Sequence, residues 1–288
     1  MQQPFVHAFF EPQSFTYSYL VWDPLSKEAA VIDPVLDFDA ASGATSTGSA
    51  EQIIAKVKQH NLTVQWLLET HVHADHLSAV AFLKQQLGGC IAIGSRITEV
   101  QQLFTQVFNL KDLKPDGSAF DKLFADGEEF ILGTIRCSVL HTPGHTPACV
   151  SYCIGDAVFV GDTLFMPDYG SARCDFPGGD AATLYNSVQR LYQLPEQTRM
   201  FLCHDYKAPG RDEFVCETTI AAQKKQNIHL KQGTSEKDFV AMRTTRDKTL
   251  SMPKLILPSV QVNMRAGQFP AAEDNGTVYL KLPVNLFR

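Results

Sequence analysis

The chain predicts an α/β fold with sheet inside and helices outside, and three observations carry that expectation. Short runs of β-branched and aromatic residues alternate with longer stretches whose apolar residues recur at helical spacing. Pro, Gly, Asp and Ser separate the runs, as turn chemistry requires. The length, 288 residues with 44% hydrophobic and 19% charged, suffices for one large domain or two small ones.

In order, Val6 to Phe10, Phe15 to Trp22 and Ala29 to Ile32 read as antiparallel strands. Ala40 to Gly48 is small and polar. Ser49-Ala-Glu-Gln52 offers a capping box before a helix whose Ile53, Ile54 and Val57 line one side and which ends near Asn61. Val64 to Leu68 is a short apolar strand, and Leu77, Val80, Leu83 and Leu87 form a helical stripe closed by Gly88-Gly89. Cys90 to Ile93 predicts a strand, Glu99 to Val107 a helix, and Glu129 to Phe165 several strands separated by Gly-containing turns. Thr218 to Ile228 and Glu236 to Leu250 predict helices, the second with Ser235 as N-cap. Pro253 and Pro258 then break the chain into an extended tail, residues 251–288, expected to lie across the body near the cleft. One domain over residues 1–288 follows, and the late helical stripes suit a homodimer as well as a monomer.

Charge and cysteine usage exclude several classes. A net charge of -6 and a pI near 5.8, without a Lys/Arg stripe, argue against nucleic acid as partner. The N-terminus, beginning Met1-Gln-Gln-Pro, lacks the basic region, apolar core and cleavage site of a secretory signal, and no apolar run approaches a membrane span. Seven Cys, an odd number with no Cys-x-x-Cys pair, support neither a disulfide framework nor a zinc ribbon. The expected location is the cytoplasm, with the thiols reduced.

One stretch carries the chemistry. Thr70-His71-Val72-His73-Ala74-Asp75-His76 places three imidazoles and a carboxylate in six consecutive positions, where Val64 to Leu68 gives way to the next helix. A lone His there would be a solvated loop residue; four potential ligands together predict a metal site for iron, zinc or manganese. His71 and His73 are two apart, so an extended segment points them the same way. The helical zinc-protease motif instead spaces its histidines four apart. His145 follows a Pro-Gly turn after the strand Ile135 to Leu140, Asp162 follows Ala157 to Val160, and His204 closes the apolar run at Phe201. Every candidate ligand thus sits at a strand end. Asp162 taken alone would be a turn residue or N-cap.

His71-x-His73-x-Asp75-His76, Thr142-Pro-Gly-His145, Gly161-Asp162-Thr-Leu-Phe and His204 together resemble the metallo-β-lactamase fold superfamily, in family order. The resemblance implies a four-layer αββα sandwich of two mixed sheets flanked by helices, with the metal in a cleft at one edge. Tyr169-Gly-Ser-Ala-Arg173-Cys174-Asp175-Phe176-Pro-Gly-Gly-Asp180 resembles the persulfide dioxygenase branch, the segments Leu257 to Gly267 and Phe269 to Gly276 resemble the tail of its bacterial members, and no appended rhodanese domain is expected here. The mammalian-type Gly-Arg-Thr-Asp-Phe appears here as Ala172-Arg-Cys-Asp-Phe176, which sets Cys174 beside the cleft.

The resemblance implies a single ferrous iron held by His71, His145 and Asp162, and oxidation of glutathione persulfide by O2 to sulfite and glutathione. His73, Asp75, His76 and His204 then serve as supporting groups, or as ligands of a second metal. Arg173 is the expected anchor for a glutathione carboxylate, with an ion pair to Asp175 or Asp168 as its alternative. Tyr206 is expected in the same cleft, Cys174 as a spectator thiol, and His7, His60, His141 and His229 as structural residues. Two other functions stay open. A thioester hydrolase like glyoxalase II would use two metals, zinc or manganese among them, to generate hydroxide. A non-enzymatic metal or sulfide sensor would have lost ligands, and none is missing.

Overall fold

The computed structural model describes residues 3–286; Met1 and Gln2 of the expected non-signal N-terminus, and Phe287 and Arg288 of the expected tail, lie outside the described residues. The first half contains β1 (Phe5–Glu11), β2 (Thr16–Trp22), β3 (Glu28–Ile32), β4 (Val35–Asp39), β5 (Ala44–Ser46) and α1 (Gly48–Gln59). Next come β6 (Thr63–Leu68), β7 (Leu77–Ser78), α2 (Val80–Leu87), β8 (Cys90–Gly94), α3 (Ile97–Val107) and β9 (Lys122–Phe124). The second half runs through β10 (Glu129–Leu132), β11 (Ile135–His141), β12 (Val150–Ile154), β13 (Ala157–Phe159), α4 (Ala181–Leu191) and β14 (Arg199–Phe201). It ends with β15 (Glu217–Thr219), α5 (Ile220–Gln226), α6 (Glu236–Asp247) and α7 (Ile256–Asn263).

Among the described residues, one six-stranded sheet runs β1-β2-β3-β6-β8-β9 and a second runs β10-β11-β12-β13-β14-β15. Both are mixed: β3, β6, β8 and β9 pair in parallel, as do β13 and β14, and the other pairs are antiparallel. Period-two alternation builds the layers. Tyr17, Tyr19 and Val21 of β2 point to the second sheet and meet Phe130, Tyr152 and Phe159, whereas Leu20 and Trp22 point away to α1, α2, α3 and α7. On the opposite outer face, Val158, Val160, Met200 and Leu202 are covered by Leu184 and Val188 of α4 and by Phe239 of α6. The αββα sandwich expected above is therefore the fold. Each fully buried aliphatic side chain in these layers stabilises by ~1.5–3 kcal/mol.

Four local expectations are corrected. The segment after β3 is not merely a small polar stretch, since β4 and β5 form a hairpin there and β4 also pairs with β7. Helix α1 begins at Gly48 without the capping box, because Asp37 of β4 takes the N–H and hydroxyl of Ser49. Leu77 belongs to β7 and not to the stripe of α2. The tail is not extended throughout, as α7 forms across Pro258, which sits in the first turn where a helix needs no N–H. Helix α4, capped by Asp180, lay outside the expectation altogether. No helix among the described residues is long and apolar enough to cross a membrane.

Candidate metal centre

The loops that leave β6, β11, β13 and β14 converge on one edge of the sandwich. Two glycines permit the approach. Gly161 holds φ +52°, and a Cβ there would meet Thr70 Oγ at 2.5 Å. Gly144 (φ +139°) packs against the backbone of Leu184, 2.4 Å from where its Cβ would lie. The following residues, Asp162 and His145, are thereby brought to His71.

His71, His73, His76, His145, Asp162 and His204 are all buried, and Asp75 keeps 23% of its side chain exposed. The ligand atoms of His71, His145 and Asp162 lie within 4.8 Å of one another, as do those of His73, Asp75 and His76. His145 Nε2 is 3.5 Å from Asp162 Oδ2, and His204 Nε2 is 3.3 Å from Asp162 Oδ1. Asp162 therefore stands between the two groups.

Hydrogen bonding fixes which nitrogen of each ring faces the centre. Nδ1 of His71 contacts Thr70 Oγ at 3.0 Å, Nδ1 of His145 donates to the Arg173 carbonyl at 2.8 Å, and Nδ1 of His76 is 3.2 Å from Asp75 Oδ2. Nδ1 of His204 contacts the Phe15 carbonyl at 3.3 Å. In each case Nε2 is the inward atom. His73 is reversed, with Nε2 3.0 Å from Asp33 and 3.5 Å from Glu69. His71 Nε2, His73 Nδ1, His76 Nε2, His204 Nε2 and Asp162 Oδ1 are buried without a hydrogen-bond partner among the described residues. So many buried orphans at one point are unfavourable unless a cation coordinates them, and the donor set fits a metal ion.

The electrostatics agree. Burial, reinforced by neighbouring His73, holds His71 well below the usual histidine range, and burial outweighs Asp162 to hold His145 down as well. Both are thus neutral, the form that ligates. Burial opposes charge on His73, but Asp33 and Glu69 overcome it and raise its pKa, while burial lifts Glu69.

A cavity of about 980 Å³ opens above Asp162, His145 and His76. Phe15, Phe165, Tyr169 and Tyr206 form an aromatic wall, with the Tyr206 ring stacked on His204 at 5.5 Å. Arg173, Arg246 and Lys254 line the cavity too.

A model of the metallo-beta-lactamase superfamily matches residues 12–204. The chain belongs to this superfamily. It is 53% identical to a probable metallo-hydrolase of Burkholderia pseudomallei (strain 1710b), covering 97% of this chain and 99% of the relative. It is 31% identical to the mitochondrial persulfide dioxygenase ETHE1 of Bos taurus, over 90% of this chain and 87% of that one. The crystal structure of ETHE1 from Myxococcus xanthus superposes with a TM-score of 0.73 at 30% identity, covering 92% of this chain and all of that one.

The superfamily's motif residues all reach the centre, but Arg173 is already engaged. Its Nε and Nη2 donate to Asp175 at 2.6 and 2.7 Å, Nη1 donates to the Ser251 carbonyl, and its guanidinium covers Phe176 at 4.9 Å. The edge that would grip a carboxylate holds Asp175. Cys174, expected beside the cleft, is instead buried off the cavity, because its backbone N–H is drawn to Asp247 of α6.

Sequence reasoning missed the groups that hold the ligand loops. Asn263 of α7 donates to the His73 and His76 carbonyls at 2.8 Å each and accepts from the Ser78 N–H at 2.8 Å. Arg243 and Asp247, a buried ion pair on α6, hold the Ser171 carbonyl and the Cys174 N–H. His229, expected to be structural, accepts the Ser171 N–H at 3.0 Å and so fixes the wall of the cavity. For Asp33, the small run Ile32-Asp33-Pro34 at a strand end was the available signal.

Proposed function

We propose that this chain is a non-haem iron persulfide dioxygenase that oxidises glutathione persulfide with O2 to sulfite and glutathione. The observation that carries this reading is the convergence of His71, His145 and Asp162, two imidazoles held neutral and one carboxylate, the last two residues lining an aromatic-walled cavity. Two histidines and a carboxylate suit ferrous iron with positions left open. The Arg173 to Asp180 segment and the likeness to ETHE1 support the same branch. One iron per chain would be held by His71, His145 and Asp162. Bound there, it supplies redox chemistry and positions at which O2 and a sulfur can meet.

The protein's own part is placement. Thr70 and the Arg173 carbonyl fix the tautomers of His71 and His145, and the Asp33 and Glu69 pair holds His73 as a support. Phe165, Tyr169 and Tyr206 exclude water beside the reacting sulfur. Among the described residues neither Arg246 nor Lys254 has an ion-pair partner, so these two, rather than the Asp175-bound Arg173, are the sites for the two carboxylates of the tripeptide. In balance, persulfide, O2 and one water give glutathione, sulfite and two protons. The S–S bond breaks, the outer sulfur is oxidised and O2 is reduced.

A second reading has a specific support. His73, Asp75 and His76 bring ligand atoms within 4.8 Å of one another, and His204 Nε2 lies 3.6 Å from Asp75, a second donor set such as a thioester hydrolase with two zinc or manganese ions would need. An oxygen electrode separates the two. Anaerobically purified protein given ferrous iron and glutathione persulfide is expected to take up O2 in step with sulfite. Absence of uptake, together with rapid cleavage of lactoylglutathione, would replace the first reading by the second.

A further inference from the structure

A second, smaller cavity lies behind the ligand loops. It measures about 20 Å³ and is lined by Val72, Ala74, Thr146 and Phe176 from those loops, with Pro177, by Val100 and Phe104 of α3, and by Ile256 and Val260 of α7. Ala74 and Phe176 also line the main cavity. They are therefore the partition between the two spaces. The Phe176 ring meets the His145 ring edge-on at 4.9 Å, and the Arg173 guanidinium covers it.

Size and polarity decide what such a space can hold. A volume of ~10–15 Å³ already admits one molecule the size of water, so this cavity admits a single diatomic and excludes any part of a peptide. Water needs two to four polar partners. Thr146 is the one polar side chain in the lining, and its hydroxyl contacts Cys149 Sγ at 3.1 Å, which leaves too few polar partners for a water. The cavity is dry. O2 is apolar, of the right size, and a reactant in the reaction proposed above.

We infer that this cavity is a holding site for O2, which enters the cleft past Phe176 and Ala74 while the persulfide occupies the main cavity. The inference rests on the dioxygenase reading and adds a second route, separating the path of the gas from that of the tripeptide. It predicts that the two substrates have independently mutable Michaelis constants.

The iron-loaded protein is tested in two ways. Crystals pressurised with xenon, an apolar probe of similar size, are expected to show density between Val100 and Val260. Val100→Phe on α3 and Val260→Leu on α7 fill the space from opposite walls and touch no ligand. Each is expected to raise KM for O2 about fivefold, leaving KM for glutathione persulfide and kcat at saturating O2 within about twofold. The more conservative Val260→Leu keeps the test open should Val100→Phe fail to fold. An empty cavity under xenon, or an unchanged KM for O2 in Val260→Leu, overturns the inference alone. A wild-type protein that takes up no O2 overturns it together with the reading on which it rests.

Discussion

Replacing Asn263 by Leu keeps the branching and heavy-atom count of the side chain and removes three hydrogen bonds at once. The Ser78 N–H and the His73 and His76 carbonyls, each 2.8 Å from the Asn263 amide, are left in a buried region. An unsatisfied buried group costs about 1–3 kcal/mol, so three give about 3 kcal/mol at the low end. With a urea dependence of about 2–3 kcal/mol/M, the unfolding midpoint of the metal-free protein should fall by on the order of 1 M. The same bonds hold the loop that carries His73, Asp75 and His76, and loss of such supports costs about 10–100-fold in metal affinity. Asn263→Asp should be worse for the loop, since it keeps an acceptor for Ser78 but turns a carboxylate toward two carbonyls. A Leu variant with a midpoint within about 0.2 M of wild type and unchanged iron affinity would refute the assignment of Asn263 as the latch of this loop.

Three further outcomes are expected. His71→Ala, His145→Ala and Asp162→Ala should each lose bound iron and O2 uptake together by metal analysis and oxygen electrode, whereas His73→Ala should retain iron; equal loss in His73→Ala would overturn the mononuclear assignment. Burial, with Arg243 and Arg246 adding to it, holds His229 at about 4, below the unfolded value near 6.5. The unfolded chain therefore binds a proton that the folded one refuses, so this contribution is whole above pH 6.5, declines as pH falls, and is gone below pH 4. Discounted for a half-buried ring, wild type should lose roughly 1–2 kcal/mol more than His229→Gln between pH 7 and 4, and parallel stability profiles would contradict this. Arg243→Met leaves Asp247 buried and unpaired, and should cost about 3–5 kcal/mol in chemical unfolding. A double variant Arg243→Met with Asp247→Leu should recover part of that loss; no recovery would place the cost elsewhere.

What the sequence made legible is what short-range chemistry specifies. The ligands could be read because each terminates a strand, where a polar residue after an apolar run has few other uses, and because four of them crowd positions 71–76. Several strands of both sheets were visible as short runs of β-branched and aromatic residues, as in β2. What stayed hidden depends on partners far along the chain. Asn263 is 190 residues from His73, Arg243 is 72 from Ser171, and nothing local distinguishes either from a surface residue. The hairpin of β4 and β5 was lost for a related reason: Ala44–Ser46 has no apolar face, and its strand character comes from pairing with β4. Arg173 shows the limit from the other side. Its guanidinium could be foreseen at the cleft, but the choice between substrate and Asp175 was a matter of two residues' geometry.

Helix α7 closes over the first sheet with Asn263 on the histidine loop and with Ile256 and Val260 on the small cavity. These residues leave the ribosome after everything else in the centre. Until they arrive, the loop at 73–76 has its side chains but not its clamp, and the cavity lacks one wall. The order of synthesis thus places the clamp of the 73–76 loop last, after every candidate ligand is already in the chain.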